Sequence, residues 1–289
     1  MTTRPYGALL DAVRGVRWPA ARRVPGATLG VHPSRLCGNS SEFSEFRTYR
    51  QGDDPRRIDW RLLARSDRAY VRLTTDLATH RTVFVVDASA SMAFPVPALD
   101  KWRLARELAV GLAAVAHASA DPVGLTIAAP RPILLAPRAR RSVLLEMMRA
   151  LDATVPAGSP PLAEALRSGR ASRVVVLTDL LGDAAALLTA ARLHAAAGGE
   201  TTIIHIVAAE EVDLPAGARL AVDPEDPALR RTLDATARRE YREAFTRWGE
   251  SIAGDVRAAG LRYERATTDE PAARVVRRIA TGAAPSRGR

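Results

Sequence analysis

Cysteine is almost missing from this chain. Cys37 is the only one in 289 residues, which excludes an internal disulfide and fits a reducing compartment. Long apolar runs are missing too. No window reaches eighteen uninterrupted apolar residues, so no plain hydrophobic span is expected. Met1 to Arg23 has no apolar core of the signal-peptide kind, and the expectation is a cytoplasmic protein. Aromatics make up only 5% of the residues and form no array interleaved with basic groups, so a base-stacking platform for nucleic acid is not indicated. There is no phosphate-cradling Gly loop, no His-Glu-x-x-His and no Gly-x-Ser-x-Gly. His32 and Cys37 make at most half a zinc site, and His117, His194 and His205 stand alone in strand or helix patterns. Lysine is nearly absent as well: Lys101 is the single lysine among 42 basic residues. With alanine so abundant, that bias reads as the codon usage of a GC-rich genome.

What is present is a globular composition. Apolar residues make up 47%, and charges of both signs run throughout, enough for a sizeable core. The net charge is +10, and the excess gathers in residues 1–80. A basic arm that binds nucleic acid is one reading of that excess. Against it, the arginines there alternate with Asp53, Asp54, Asp59 and Asp67.

From residue 81 onward, strand and helix patterns alternate. Val83-Phe84-Val85-Val86 is β-branched and aromatic without polar alternation, which predicts a strand buried on both faces. Asp100 to Ala118 carries an apolar stripe at helical spacing (Trp102, Leu104, Ala105, Leu108, Ala109, Leu112). Further strands are expected over 122–129, 133–136, 173–177, 201–207 and 261–265. Helices are expected over 141–151, 160–168, 184–197, 229–259 (broken near Arg238) and 270–280. Strands separated by helices call for a mostly parallel, doubly wound α/β sheet. The expected organisation is a flexible N-terminus (1–25), an arm or small β module (26–80) packed on the sheet, the α/β domain (81–280) and a disordered tail (281–289).

The strand ends carry the chemistry. The first ends in Asp87-x-Ser89-x-Ser91, one carboxylate and two hydroxyls on a tight loop. Three hard oxygen groups suit Mg²⁺ or Mn²⁺, although the same residues also suit a turn or helix cap. A later strand ends at Thr178-Asp179, and between them Gly158-Ser159-Pro160-Pro161 opens a helix. If the two strands are neighbours, Asp87, Ser89, Ser91, Ser159 and Asp179 converge on one ion beyond the carboxyl edge of the sheet.

These three segments resemble the von Willebrand factor type A domain with its metal-ion-dependent adhesion site. Upstream, Glu42-Phe43-Ser44-Glu45-Phe46-Arg47-Thr48-Tyr49-Arg50 and Gly52-Asp53-Asp54-Pro55-Arg56-Arg57-Ile58-Asp59-Trp60 resemble the signature of the bacterial family called domain of unknown function 58. That resemblance implies a type A domain downstream and association with a MoxR-type AAA+ ATPase. It implies that Arg47, Tyr49, Arg50, Gly52, Asp53, Asp54, Arg57, Asp59 and Trp60 serve partner binding or structure. In the latter reading the arginines and acids form an ion-pair network and Trp60 anchors the arm.

Two departures stand out. Ser159 stands where the resemblance has Thr, followed by an extra Pro. Leu180 stands where it has Gly after Asp179, with Asp183 a rival ligand. The function expected is a metal-dependent protein-binding module that takes a partner's acidic residue and is not an enzyme. The alternatives are a metal-dependent hydrolase or phosphoryl-transfer enzyme, for which no general base is identified, and the basic nucleic-acid arm.

Overall fold

The structure is a computed structural model. It describes residues 6–19, 29–33, 43–51, 55, 58–66, 68–74, 77–78, 80–167, 171–222, 228 and 230–282. In chain order the elements are α1 (Gly7–Ala12), β1 (Leu29–Pro33), β2 (Phe43–Thr48), α2 (Trp60–Ser66), β3 (Tyr70–Thr74), β4 (Leu77–Ala78) and β5 (Thr82–Asp87). Then come α3 (Asp100–Ala118), β6 (Val123–Ala128), β7 (Ile133–Arg138), α4 (Val143–Ala153), α5 (Leu162–Arg167) and β8 (Arg173–Thr178). The rest are α6 (Ala184–Ala196), β9 (Glu200–Val207), α7 (Ala209–Val212), β10 (Leu220–Val222), β11 (Arg230–Thr232), α8 (Ala235–Ala258), β12 (Arg262–Thr267) and α9 (Ala272–Thr281).

The contacts divide the chain into two compact units, Met1–Pro19 with Arg81–Arg289, and Ala20–His80. The larger unit is built on a six-stranded sheet in the order β12-β9-β8-β5-β6-β7. All its pairings are parallel except that of β7 with β6. This is the expected mostly parallel α/β sheet, with β5 and β8 side by side.

The apolar run of β5 works because both its faces are covered. Phe84 and Val86 join one core cluster, with Leu108, Met147 and Val276 from α3, α4 and α9. Val83 and Val85 join the other, with Leu166, Leu187 and Val256 from α5, α6 and α8. Neighbouring side chains on a strand point to opposite faces, so a central strand without polar alternation needs a layer on each side. In β6, Gly124 leaves room for the edge strand. A Cβ there would lie 2.7 Å from the Leu135 carbonyl oxygen, where the register with β7 shifts.

Three expectations are corrected. The N-terminus was expected to be flexible over 1–25, but residues 6–19 are folded into the larger unit. Tyr6, Val13 and Trp18 are buried in its core, because α1 covers α3 and α9. The Tyr6 hydroxyl donates to Asp152 at 2.6 Å, and Trp18 lies under the Arg173 guanidinium, 4.2 Å from ring centroid to Cζ. Arg173 also donates to the Pro19 carbonyl at 3.0 Å. Next, residues 230–232 form a strand antiparallel to β10 and not the start of a helix. Asp234 then caps α8, accepting from the Ala237 N–H at 2.7 Å, so the start is set by the cap and not by apolar spacing. Finally, α8 runs unbroken through Arg238. That guanidinium turns back onto the carbonyls of Leu214, Pro215, Ala216 and Ala218 and closes the preceding loop.

In the smaller unit, β2 pairs antiparallel with β3 and β1 with β4. Ile58 bridges to Val71, and the Asp59 N–H donates to the Tyr70 carbonyl at 2.9 Å. Residues 281–289 were expected to be a tail. Of these, Thr281 ends α9 and Gly282 caps it, while 283–289 lie outside the described residues.

Candidate functional site

The site lies at the carboxyl edge of the sheet, where the chain leaves β5 for α3 and β8 for α6. Helices from these two strands lie on opposite faces, so a crevice opens between the strand ends. A cleft of about 260 Å³ occupies this place. Asp87, Ser89, Ser159, Thr178, Leu180, Gly182 and Asp183 line it.

Asp87 closes β5 and is buried. Its Oδ1 accepts the Ser89 N–H at 2.9 Å, and its Oδ2 accepts the Thr178 hydroxyl at 2.7 Å. The Ser89 and Ser91 hydroxyls are 3.0 Å apart and hydrogen-bonded. The second loop is tied directly to the first. The Ala90 N–H donates to the Gly158 carbonyl at 2.8 Å, and the Ala157 N–H to the Ala88 carbonyl at 2.9 Å. Gly158 has φ of +64°, a left-handed turn that favours glycine and brings Ser159 into the cleft lining.

Burial raises the Asp87 pKa, and the nearby Asp179 carboxylate raises it further, against the hydrogen bonds from Thr178 and Ser89. A carboxylate held in that way is stabilised by a nearby cation. Each of its oxygens retains lone-pair capacity beyond the bond it already accepts. Asp87, Ser89 and Ser159 offer hard oxygen to the cleft, the donor chemistry that suits Mg²⁺ or Mn²⁺, while Ser91 is bonded to Ser89 and is not among the lining residues.

Asp179 is not among the residues lining the cleft and is engaged in an ion pair. Its Oδ2 lies 2.7 Å from the Lys101 ammonium, and its Oδ1 accepts the Leu181 N–H at 3.2 Å. Lys101, on the first turn of α3, has no exposed side-chain surface and also lies 2.8 Å from Glu211 Oε1. Burial alone would lower the Lys101 pKa, but Asp179 and Glu211 outweigh it and hold it above the ordinary lysine value. Asp183, the expected rival ligand, caps α6 by accepting the Ala186 N–H at 2.9 Å. Leu180 is buried at φ of +60°, so the backbone there adopts the left-handed form that the resemblance meets with glycine.

Thr178, Lys101 and Glu211 were missed as site residues. Thr178 was read only as a strand end. Lys101 was visible as the sole lysine but was read as codon bias. Nothing local marks Glu211 as a partner 110 residues away.

Of the upstream signature, Asp59 caps α2. Its Oδ1 accepts the N–H groups of Arg61 and Leu62, each at 3.0 Å. Trp60, expected as an anchor, is 62% exposed. Arg47 and Tyr49 are partly exposed, and Arg50 is exposed. Gly52, Asp53, Asp54 and Arg57 lie outside the described residues, as do Cys37 and the side chain of His32. No helix among the described residues is long and apolar enough to cross a membrane.

A family model described as "Protein of unknown function DUF58" matches residues 45–251. The uncharacterized protein Rv1480 of Mycobacterium tuberculosis is 28% identical over 273 residues, covering 90% of this chain and 85% of that protein. Among solved structures, the conserved hypothetical protein BatB from Bacteroides thetaiotaomicron is 17% identical with a TM-score of 0.42, covering 70% of this chain and 98% of that one. The SpRpn10 VWA domain is 11% identical with a TM-score of 0.38, covering 69% of this chain and 94% of that one.

Proposed function

For a chain that belongs to the DUF58 family, whose function is unknown, we propose a protein-binding module whose docking surface is the carboxyl edge of the β5–β8 sheet. In this reading Asp87, Ser89, Ser91 and Ser159 hold a divalent cation, Mg²⁺ or Mn²⁺. The observation that carries it is the tie between the three loops. Thr178 holds Asp87, Gly158 holds the Asp87-x-Ser-x-Ser loop, Asp87, Ser89 and Ser159 line one cleft, and Ser91 is bonded to Ser89. When bound, the ion supplies an open coordination position for a carboxylate oxygen of the partner.

The rim supports protein binding. Val96 and Val155 are each 76% exposed, and Leu181 is 50% exposed. Each sits on one of the loops that build the site, so apolar contact area surrounds a polar centre, as in the core and hot-spot pattern of protein interfaces. The cleft lining supports a non-catalytic role. Its ionisable groups among the described residues are Asp87 and Asp183, both already committed to hydrogen bonds, and neither is paired with a nucleophile and base. The partner proposed is the one the sequence resemblance implies, a MoxR-type AAA+ ATPase.

The test begins with the ion. Mg²⁺ is expected to raise the melting temperature of the full chain, since an ion that binds only the folded state stabilises it by mass action. Asp87→Ala is expected to abolish that rise while the protein stays folded. A purified MoxR-type ATPase is then titrated into the protein by calorimetry, with and without EDTA. Binding that ignores EDTA and Asp87→Ala would place the docking surface elsewhere.

A further inference from the structure

Among the described residues, Lys101 is the one buried cation paired with a strand-end carboxylate at this edge of the sheet. Its ammonium bridges two carboxylates from two different strand ends, Asp179 after β8 and Glu211 in α7 after β9. Both carboxylates are fixed by a second bond. Asp179 accepts the Leu181 N–H, and Glu211 Oε2 accepts the Ala208 N–H at 2.8 Å. The Lys101 ammonium also lies over the Phe94 ring, 5.8 Å from its centroid. Asp179 is close enough to Asp87 to raise its pKa.

We propose that Lys101 is a resident counter-cation that competes with the divalent ion for Asp179 and so sets the affinity of the site, an inference that rests on the metal reading above. Affinity for a hard divalent ion is tuned by the number of charged ligands. With Asp179 committed to Lys101 and Asp183 capping α6, Asp87 is the carboxylate left for the ion among the described residues. The site is therefore tuned to weak, exchangeable binding in which the partner's carboxylate supplies the missing charge. Lys101 acts through Asp179 and is a positioning residue.

The test is Mn²⁺ alone, titrated into the full-length protein by calorimetry, with bound Mn²⁺ counted by electron paramagnetic resonance. Lys101→Met releases Asp179 and is expected to bind Mn²⁺ roughly tenfold more tightly than wild type, or tighter still. Asp179→Asn, which keeps the Lys101–Glu211 pair, is expected to change affinity by less than about threefold, because that carboxylate is not a ligand in wild type. Removing a buried cation leaves two unpaired carboxylates, so the single variant risks unfolding. Lys101→Met combined with Glu211→Gln removes one of them, and circular dichroism confirms the fold before titration.

If wild type and the Lys101 variants bind Mn²⁺ equally, the competition is overturned and the metal reading stands. If only the Lys101 variants bind, the competition stands and the native site is not a metal site. If none binds, both fall. An Asp179→Asn loss as large as that of Asp87→Asn also overturns the inference, since Asp179 would then be a ligand.

Discussion

The Thr178 hydroxyl donates to Asp87 Oδ2 at 2.7 Å, joining the carboxyl ends of two neighbouring parallel strands. The same hydroxyl accepts the Leu180 N–H at 3.0 Å, so one side chain holds both the first and third loops. Thr178→Val keeps the shape and removes both bonds. It leaves a buried carboxylate short of a donor, and a loss of about 1–3 kcal/mol is expected. Thr178→Ser keeps the hydroxyl and is expected to lose less. Urea denaturation of both variants measures the difference, and a Thr178→Val loss no larger than that of Thr178→Ser would refute the expectation.

Leu180 sets backbone strain against burial. Left-handed backbone costs a non-glycine residue roughly 1–2 kcal/mol, which glycine would relieve. Truncating a buried leucine costs about 2–5 kcal/mol, and the added backbone freedom of glycine costs about 0.5–1 kcal/mol more. Burial wins, and Leu180→Gly is expected to lower stability even though it restores the residue the resemblance has there. A variant that melts higher than wild type would mean that strain is the larger effect.

His205 on β9 gives a pH dependence. Burial, helped by nearby Arg265, lowers its pKa from 6.5 to about 4. The ring is held by the Tyr263 hydroxyl, 2.7 Å from Nδ1, and by Trp248 edge-on at 5.4 Å. Between these two values the unfolded chain binds the proton and the folded one does not. Stability from this group is therefore full above the unfolded pKa and is lost as pH falls from about 6.5 toward 4, by on the order of 3 kcal/mol. His205→Gln cannot protonate. The stability gap between wild type and this variant is expected to narrow between pH 7 and pH 5. A gap that stays constant over that range would refute the assignment.

Trp18 tests the N-terminal segment. It is buried between the core and the Arg173 guanidinium, a cation–π contact in a site largely out of water. Trp18→Ala is expected to cost about 3–5 kcal/mol, as for other buried aromatics. A fragment of residues 81–289 lacks Tyr6, Val13 and Trp18 together, and it is expected to melt lower than the full chain and to bind a hydrophobic dye. Equal melting temperatures would make the segment dispensable.

The sequence by itself determined the sheet and the Asp87-x-Ser89-x-Ser91 loop at its edge. The β5 run, the α3 stripe and the run from Arg173 to Leu177 are local patterns, and period and length alone place them as central strands or a packed helix. Asp87, Ser89 and Ser91 lie within five residues, so their proximity needed no knowledge of the fold. Ser159 followed once β5 and β8 were taken as neighbours, and the parallel sheet makes them so.

Only the tertiary structure decided the fate of Asp179. Its pairing with Lys101 depends on a helix 78 residues upstream and on Glu211 beyond the next strand, and no spacing in the chain encodes that meeting. The buried N-terminal segment was hidden for a similar reason. Tyr6, Val13 and Trp18 look like isolated apolar residues until α3 and α9 supply the surface they cover. Short-range periodicity reports which face of an element is apolar. It does not report which distant charge will be desolvated beside which, and at this site the answer is the buried pairing of Lys101 with Asp179 and Glu211.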